Sequence, residues 1–156
     1  MTERGKDTAG VIAPPPLIFL GGLLAGLALD AAWPVWSLPG EARLPAAVSL
    51  VGLGVAVAAG AIGWFVRAGT PVEPYKPTSA LVVTGLYRWS RNPIYLAVAA
   101  VYLGITAYFG GFWTVAMLAP VLTVLYFGVI AREERYLEAK FGVEYRHYKA
   151  SVRRWL

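Results

Sequence analysis

Four long apolar runs dominate the pattern of hydrophobic and polar residues along the chain, and Asp30 is the one charged residue that falls inside them. They cover residues 17–36, 44–66, 93–109 and 112–131. An α-helix needs about twenty residues to cross the ~30 Å hydrocarbon core of a bilayer. The pattern therefore predicts an all-α membrane protein with about four transmembrane helices, built as one domain over residues 1–156.

The connection between the third and fourth runs consists only of Gly110 and Gly111. Because two residues leave room for nothing but a tight turn, these two helices are expected to form an antiparallel hairpin. The tail that follows has apolar residues at helical spacings and charged residues on its other faces. This pattern predicts an amphipathic helix at the membrane interface, bent at Gly142, whose apolar face consists of Leu137, Phe141, Tyr145, Tyr148 and Val152.

The composition agrees with a lipid environment. Hydrophobic residues make up 58% of the 156 residues and charged residues 15%, with a mean hydropathy of +0.57, whereas soluble domains have about half apolar and a quarter charged residues. The absence of cysteine excludes disulfides, thiolate metal sites and cysteine nucleophiles. We predict no metal site.

The basic residues indicate an orientation. All of the fourteen except Arg43 fall in the N-terminal tail, in the loop between the second and third runs, or after the fourth run. With four spans these three segments share one side, which the positive-inside rule makes cytoplasmic. The net charge of +5 is then explained by anionic lipid head groups, so we predict no nucleic-acid partner.

Two features of the first two runs concern packing and buried charge. Gly22 with Gly26, and Gly52 with Ala56 and Gly60, repeat every four residues, which allows close helix contacts. We predict that these contacts lie within the molecule, with dimerisation as the alternative. A carboxylate inside a span is costly. Asp30 is therefore either the proton site of a small four-span transporter or a side chain that reaches the non-cytoplasmic interface.

The segment GLYRWSRNPIYL, Gly85 to Leu96, is polar and aromatic and leads into the third run. Pro93 suits the first turn of a helix, and Asn92 is placed to cap it. The fourth run ends at two adjacent acids, Glu133 and Glu134, although a helix C-terminus and anionic lipid both favour cations. The hairpin brings these two ends together, so we predict a pocket at the cytoplasmic surface.

The order and spacing of these residues resemble the isoprenylcysteine carboxyl methyltransferase and phospholipid methyltransferase family of integral membrane enzymes. The likeness covers about residues 76–156. Its first motif comprises Leu81, Val82, Thr84, Gly85, Tyr87, Arg91, Asn92, Pro93 and Tyr95. Its second comprises Glu133, Glu134, Leu137, Phe141, Gly142, Tyr145 and Tyr148.

The resemblance implies S-adenosyl-L-methionine as methyl donor and S-adenosyl-L-homocysteine as product. It assigns the cofactor site to Ser79, Ala80, Leu81, Val82, Tyr87, Arg91, Asn92, Pro93, Ile94, Tyr95, Glu133 and Glu134. A carboxylate such as Glu133 suits the donor's ammonium and ribose hydroxyls, Arg91 or backbone amides suit its carboxylate, and tyrosine faces suit its sulfonium. Arg91 is the one candidate for a catalytic role.

Two departures from the eukaryotic carboxyl methyltransferases bear on the substrate. Asn92 stands where those enzymes have histidine, and Val129 stands where they have a substrate-binding arginine. Both differences argue against a prenylcysteine carboxylate. The resemblance then implies a lipophilic or small amphipathic acceptor, with membrane lipids as surroundings.

Two further classes compete with a methyltransferase and with the transporter. Membrane NADPH-dependent reductases of the sterol type have a similar turn, but they usually follow it closely with an acidic residue, and residues 96–109 contain none. A non-enzymatic membrane scaffold leaves the polar segment and the acidic pair unexplained.

Overall fold

A computed structural model describes residues 8–156; residues 1–7, with Arg4 and Lys6, lie outside the described part. The described part of the chain contains six α-helices, a 3₁₀ turn at Gly85–Arg88 and a π-helical segment at Tyr126–Ile130. The described residues contain no strand, which confirms the all-α prediction. The helices are α1 (Pro15–Ala32), α2 (Gly40–Arg67), α3 (Pro93–Phe109), α4 (Phe112–Leu125), α5 (Ala131–Phe141) and α6 (Val143–Ser151).

Three helices within residues 8–156 are long and apolar enough to cross a membrane: α1, α2 and the continuous helix Phe112–Phe141. The latter consists of α4, the π-helical segment and α5, so it extends beyond the predicted end at residue 131. Helix α3 has the predicted bounds and is apolar, but it is shorter, with 17 residues. Length and composition thus support three spans directly, with α3 as a fourth apolar helix.

The helices pack in two pairs, α1 along α4 and α2 along α3. Glycines permit the close approach: a Cβ added to Gly26 would meet Thr114 Cα, and one added to Gly54 would lie 2.7 Å from the Ala97 carbonyl oxygen. The prediction for Gly22 and Gly26 is confirmed. That for Gly52, Ala56 and Gly60 is wrong, because these residues are exposed and the buried face of α2 carries Gly54 and Ala61 instead.

The predicted turn at Gly110 and Gly111 is present, and it holds α3 and α4 together at one end. Along most of their length, however, these two helices meet through large side chains rather than through close backbones. The Tyr102 hydroxyl donates a hydrogen bond to the Thr114 carbonyl at 2.8 Å. The core between the helices consists of Phe19, Tyr95, Tyr102, Val121, Leu125, Val129 and Ile130.

Asp30 caps the N-terminus of α4. Its carboxylate accepts hydrogen bonds from the backbone N–H groups of Gly111, Trp113 and Thr114 at 2.8–3.0 Å, and another from the Thr114 hydroxyl. These N–H groups have no partner within the helix, and in lipid an unpaired donor costs several kcal/mol. A structural role therefore accounts for Asp30 without any proton transfer.

We expect Asp30→Asn to destabilise the fold by about 1.5–3 kcal/mol, because the amide turns an NH₂ group toward donors that need an acceptor. The apparent melting temperature in detergent measures the effect. Glu41→Gln is the matched control, since Glu41 is exposed at the start of α2. An unchanged melting temperature for Asp30→Asn would return this residue to the list of functional candidates.

Candidate functional site

The C-terminal tail bends at Gly142, whose φ of +54° separates α5 from α6 and confirms the predicted bend. The apolar face also has the predicted residues, but it packs on the protein rather than lying open to lipid. Tyr145 and Tyr148 belong to a buried cluster with Ala61, Val82 and Tyr87. The reason is that the loop before α3 folds under the tail and offers its own apolar side chains.

That loop, residues 68–92, is held in place at several points. The Thr70 hydroxyl accepts the Ser79 N–H at 2.9 Å, and the Tyr136 hydroxyl accepts the Thr78 N–H at 3.1 Å. At Gly85 the φ is +62°, and any side chain would collide with the indole of Trp64. The loop therefore forms a fixed wall between the end of α2 and α5.

A cavity of about 260 Å³ lies between this loop, the start of α3, α5, α6 and the segment that precedes α1. Ten of the twelve predicted cofactor-site residues line it: Ala80, Leu81, Val82, Tyr87, Arg91, Asn92, Ile94, Tyr95, Glu133 and Glu134. The other two do not. Ser79 is hydrogen-bonded within the loop, and Pro93 is buried in the first turn of α3.

Sequence reasoning missed part of the lining. The helical pattern predicts Leu137, Tyr145 and Tyr148 on the membrane-facing side of the tail, but these residues of the second motif line the cavity. The remaining missed residues belong to neither motif. A few lie close to predicted residues in the sequence, and the others are placed there by the folding of distant segments: Ala9, Pro15, Pro16, Phe65, Pro71, Val72, Glu73, Pro74, Tyr75, Thr78, Val98, Ile130 and Tyr136.

Glu133 lines the cavity and has open hydrogen-bonding positions. The Tyr95 hydroxyl lies 2.9 Å from each of its oxygens and is its hydrogen-bond partner within residues 8–156. One hydroxyl hydrogen satisfies one of about four acceptor positions of a carboxylate. Glu133 can therefore accept further hydrogen bonds from a ligand.

Glu134 is engaged differently, because it lies between two arginines. Arg154 donates to both of its oxygens, from Nε and from Nη2, each at 2.8 Å. Arg91 Nη1 lies 3.0 Å from Oε1, within ion-pair distance but without the alignment of a hydrogen bond. Glu134 thus binds the C-terminal segment to α5, and its predicted contact with a cofactor stays a prediction.

Arg91 keeps unused donors. Its side chain is only 10% exposed, and among the described residues neither Nε nor Nη1 has a hydrogen-bond partner. A buried polar group without a partner costs about 1–3 kcal/mol, and more for a charged group. Because Arg91 also lines the cavity, its donors are available to an anionic group there.

Asn92 departs from its predicted role. It occupies the N-cap position of α3, but its side chain makes no capping hydrogen bond. Its Nδ2 donates instead to the Arg154 carbonyl at 3.0 Å. The helix start relies on Pro93, which has no N–H to satisfy, as predicted.

Three tyrosines of the cavity, Tyr87, Tyr145 and Tyr148, are neutral at physiological pH because their pKa values are raised. Burial raises the pKa of Tyr145 to about 12, with a smaller contribution from Glu134, and it raises the pKa of Tyr87 and of Tyr148 further. The Tyr148 hydroxyl donates to the Tyr87 carbonyl at 2.8 Å. These side chains can therefore offer hydrogen-bond donors and ring faces, but not phenolate bases.

Comparison with known proteins decides the family. A model of the family described as "Phospholipid methyltransferase" matches residues 42–144. The chain belongs to this family. The match includes every cavity residue from Phe65 to Leu137, whereas the tail from Tyr145 onward lies outside it.

A similar protein whose name states no function also matches part of this chain. It is an uncharacterized protein of Haemophilus influenzae, 45% identical over 65 residues, which are 40% of this chain and 100% of the relative. No solved structure matches this chain. With its family and its apolar helices, the protein is an integral membrane protein whose family indicates a methyltransferase.

We expect Tyr148→Phe to destabilise the protein by roughly 1–3 kcal/mol, because it leaves the buried Tyr87 carbonyl without its donor. Tyr108→Phe is the control, since Tyr108 is 43% exposed. The apparent melting temperatures of both variants in detergent measure the difference. Equal values would show that the contact between α6 and the loop contributes nothing to stability.

Proposed function

We propose that the protein is an S-adenosyl-L-methionine-dependent membrane methyltransferase and that the cofactor binds in the cavity beside α5. One observation carries the proposal. The same cavity is lined by a carboxylate with open acceptor positions, Glu133, and by a buried guanidinium, Arg91, two of whose nitrogens have no hydrogen-bond partner among the described residues. This pair of charges complements a zwitterionic amino-acid group.

The residues present fit this cofactor. Within residues 8–156, two buried nitrogens of Arg91 lack hydrogen-bond partners, and a carboxylate accepts charge-assisted hydrogen bonds from a guanidinium. Glu133 can accept from an ammonium or from ribose hydroxyls. The rings of Tyr87, Tyr95 and Tyr148 border the same space and can favour a cationic sulfur.

The chemistry then requires mainly alignment. When bound, the cofactor would supply an electrophilic methyl group on its sulfonium, and the protein would hold it through Arg91 and Glu133. Arg91 and Glu133 fix the amino-acid end at two points, and the apolar lining excludes water. Direct methyl transfer of this kind requires no covalent nucleophile on the protein.

The apolar part of the cavity lining indicates the class of methyl acceptor. Pro15, Pro16, Val98 and Ile130 line it with apolar surface at the ends of helices α1 and α3 and of the π-helical segment. A lipophilic or small amphipathic acceptor matches such a surface. Val129, by contrast, is fully buried in the core beside Tyr95 and does not line the cavity, so this position makes no substrate contact.

The distribution of basic residues supports a cytoplasmic position of the cavity. The transporter alternative is based on Asp30 as a proton site, and the capping of α4 by Asp30 explains this residue without such a role. The sterol-type reductase is distinguished by its cofactor, since it requires NADPH.

We expect the detergent-purified protein to bind S-adenosyl-L-homocysteine in calorimetric titration, with NADPH as the control ligand. Glu133→Gln should weaken binding by about 1.5–3 kcal/mol, or roughly 10- to 100-fold, through loss of a charge-assisted hydrogen bond. Glu144→Gln, an exposed carboxylate of α6, is the matched control and should bind normally.

Two results would overturn the proposal. Binding of NADPH without binding of S-adenosyl-L-homocysteine would favour the reductase. Wild-type affinity in the Glu133→Gln protein would remove Glu133 from the site.

A further inference from the structure

We propose that Arg154 is a positioning residue: it occupies Glu134 and thereby leaves the donors of Arg91 free for an anionic group in the cavity. The inference rests on the proposed function, since it concerns the carboxylate of the bound cofactor. Arg154 lies beyond the residues that the family model matches, in the short segment after α6.

The geometry of Arg154 is well defined. Its guanidinium makes the two hydrogen bonds to Glu134 and a third to the Tyr126 hydroxyl at 3.0 Å, and it stacks over the Tyr126 ring at 4.8 Å. The hydrogen bonds with Glu134 also raise the pKa of Arg154, so its charge is permanent. Contacts with Glu134 and with Tyr126 together hold the Arg154 side chain in place.

The backbone around Arg154 is fixed as well. Its carbonyl accepts hydrogen bonds from the Asn92 side chain at 3.0 Å and from the Ser90 hydroxyl at 3.3 Å. The preceding carbonyl, that of Arg153, accepts the Arg91 N–H at 3.0 Å. The C-terminal segment therefore runs along residues 90–92 and brings Arg154 to the carboxylate that Arg91 also faces.

Glu134 can satisfy only one arginine in the two-pronged geometry that guanidinium and carboxylate prefer. Arg154 takes that geometry, while Arg91 keeps an ion-pair contact with Glu134 and a side-chain hydrogen bond with Tyr145. Among residues 8–156, Arg91 Nε and Nη1 have no hydrogen-bond partner. Without Arg154, the buried Glu134 would need another partner, since an unpaired buried charge is costly. Arg91 is the cation beside it, and pairing would use the donors that now face the cavity.

This competition predicts a change in ligand selectivity. S-adenosyl-L-homocysteine carries an amino-acid carboxylate, whereas 5′-methylthioadenosine lacks the amino-acid group and cannot use Arg91. In Arg154→Gln we expect the affinity for the first ligand to fall roughly tenfold or more, while the affinity for the second stays unchanged. Constant binding of the second ligand also shows that the variant is folded.

Three further variants sharpen the test. Arg153→Gln removes the same charge from the neighbouring exposed side chain and should leave both affinities unchanged. Arg154→Lys keeps the charge without the two-pronged geometry and should fall between wild type and Arg154→Gln. The double variant Glu134→Gln with Arg154→Gln removes the competing carboxylate, so it should recover much of the lost affinity.

Calorimetric titration of each detergent-purified variant with both ligands decides the matter. Equal loss of both ligands in Arg154→Gln, unchanged affinity for both, or no recovery in the double variant would each contradict the positioning role. Failure of the wild-type protein to bind S-adenosyl-L-homocysteine would instead contradict the proposed function itself.

Discussion

The ion pair between Glu134 and Arg154 joins the parts of the chain on which the candidate site depends. Glu134 stands on α5, the continuation of a membrane-spanning helix, and Arg154 stands in the last residues of the chain. Through its carbonyl, Arg154 also holds Asn92 at the start of α3. One contact thus brings together the two motifs, which are separated by a helical hairpin in the sequence.

Glu133 and Glu134 lie within the continuous helix Phe112–Phe141 and not at its C-terminus. A π-helical segment is an uncommon insertion and often occurs at functional sites. Here it spans Tyr126–Ile130, and the Gly128 carbonyl accepts the N–H of Ile12 at 3.1 Å. The segment before α1 is thereby held against the helix, and Ala9 of this segment lines the cavity together with Pro15 and Pro16 at the start of α1.

The sequence predicted the features that depend on local patterns. Apolar runs located the helices, and the paired glycines located the turn before α4, because span length and turn length are properties of short segments. The motifs placed ten of twelve candidate residues around one cavity, although their contacts with a cofactor stay a proposal.

The features that escaped prediction depend on partners far along the chain. Asp30 caps a helix that begins about eighty residues later, and Gly54 rather than Gly52 faces α3 because of how α2 is rotated. In the sequence, nothing distinguishes Arg154 from the other basic residues of the C-terminal tail. Its role appears only when the tail folds back on residues 90–92, where Glu134 and Arg91 already lie.

The central claim is that the loop before α3, the start of α3, α5 and the C-terminal segment form one ligand site. Hydrogen–deuterium exchange of the detergent-purified protein, with and without S-adenosyl-L-homocysteine, tests it most directly. The account predicts added protection in residues 78–95, 131–137 and 145–155 together, with none in residues 40–60. Protection confined to one of these segments, or located elsewhere, would contradict it.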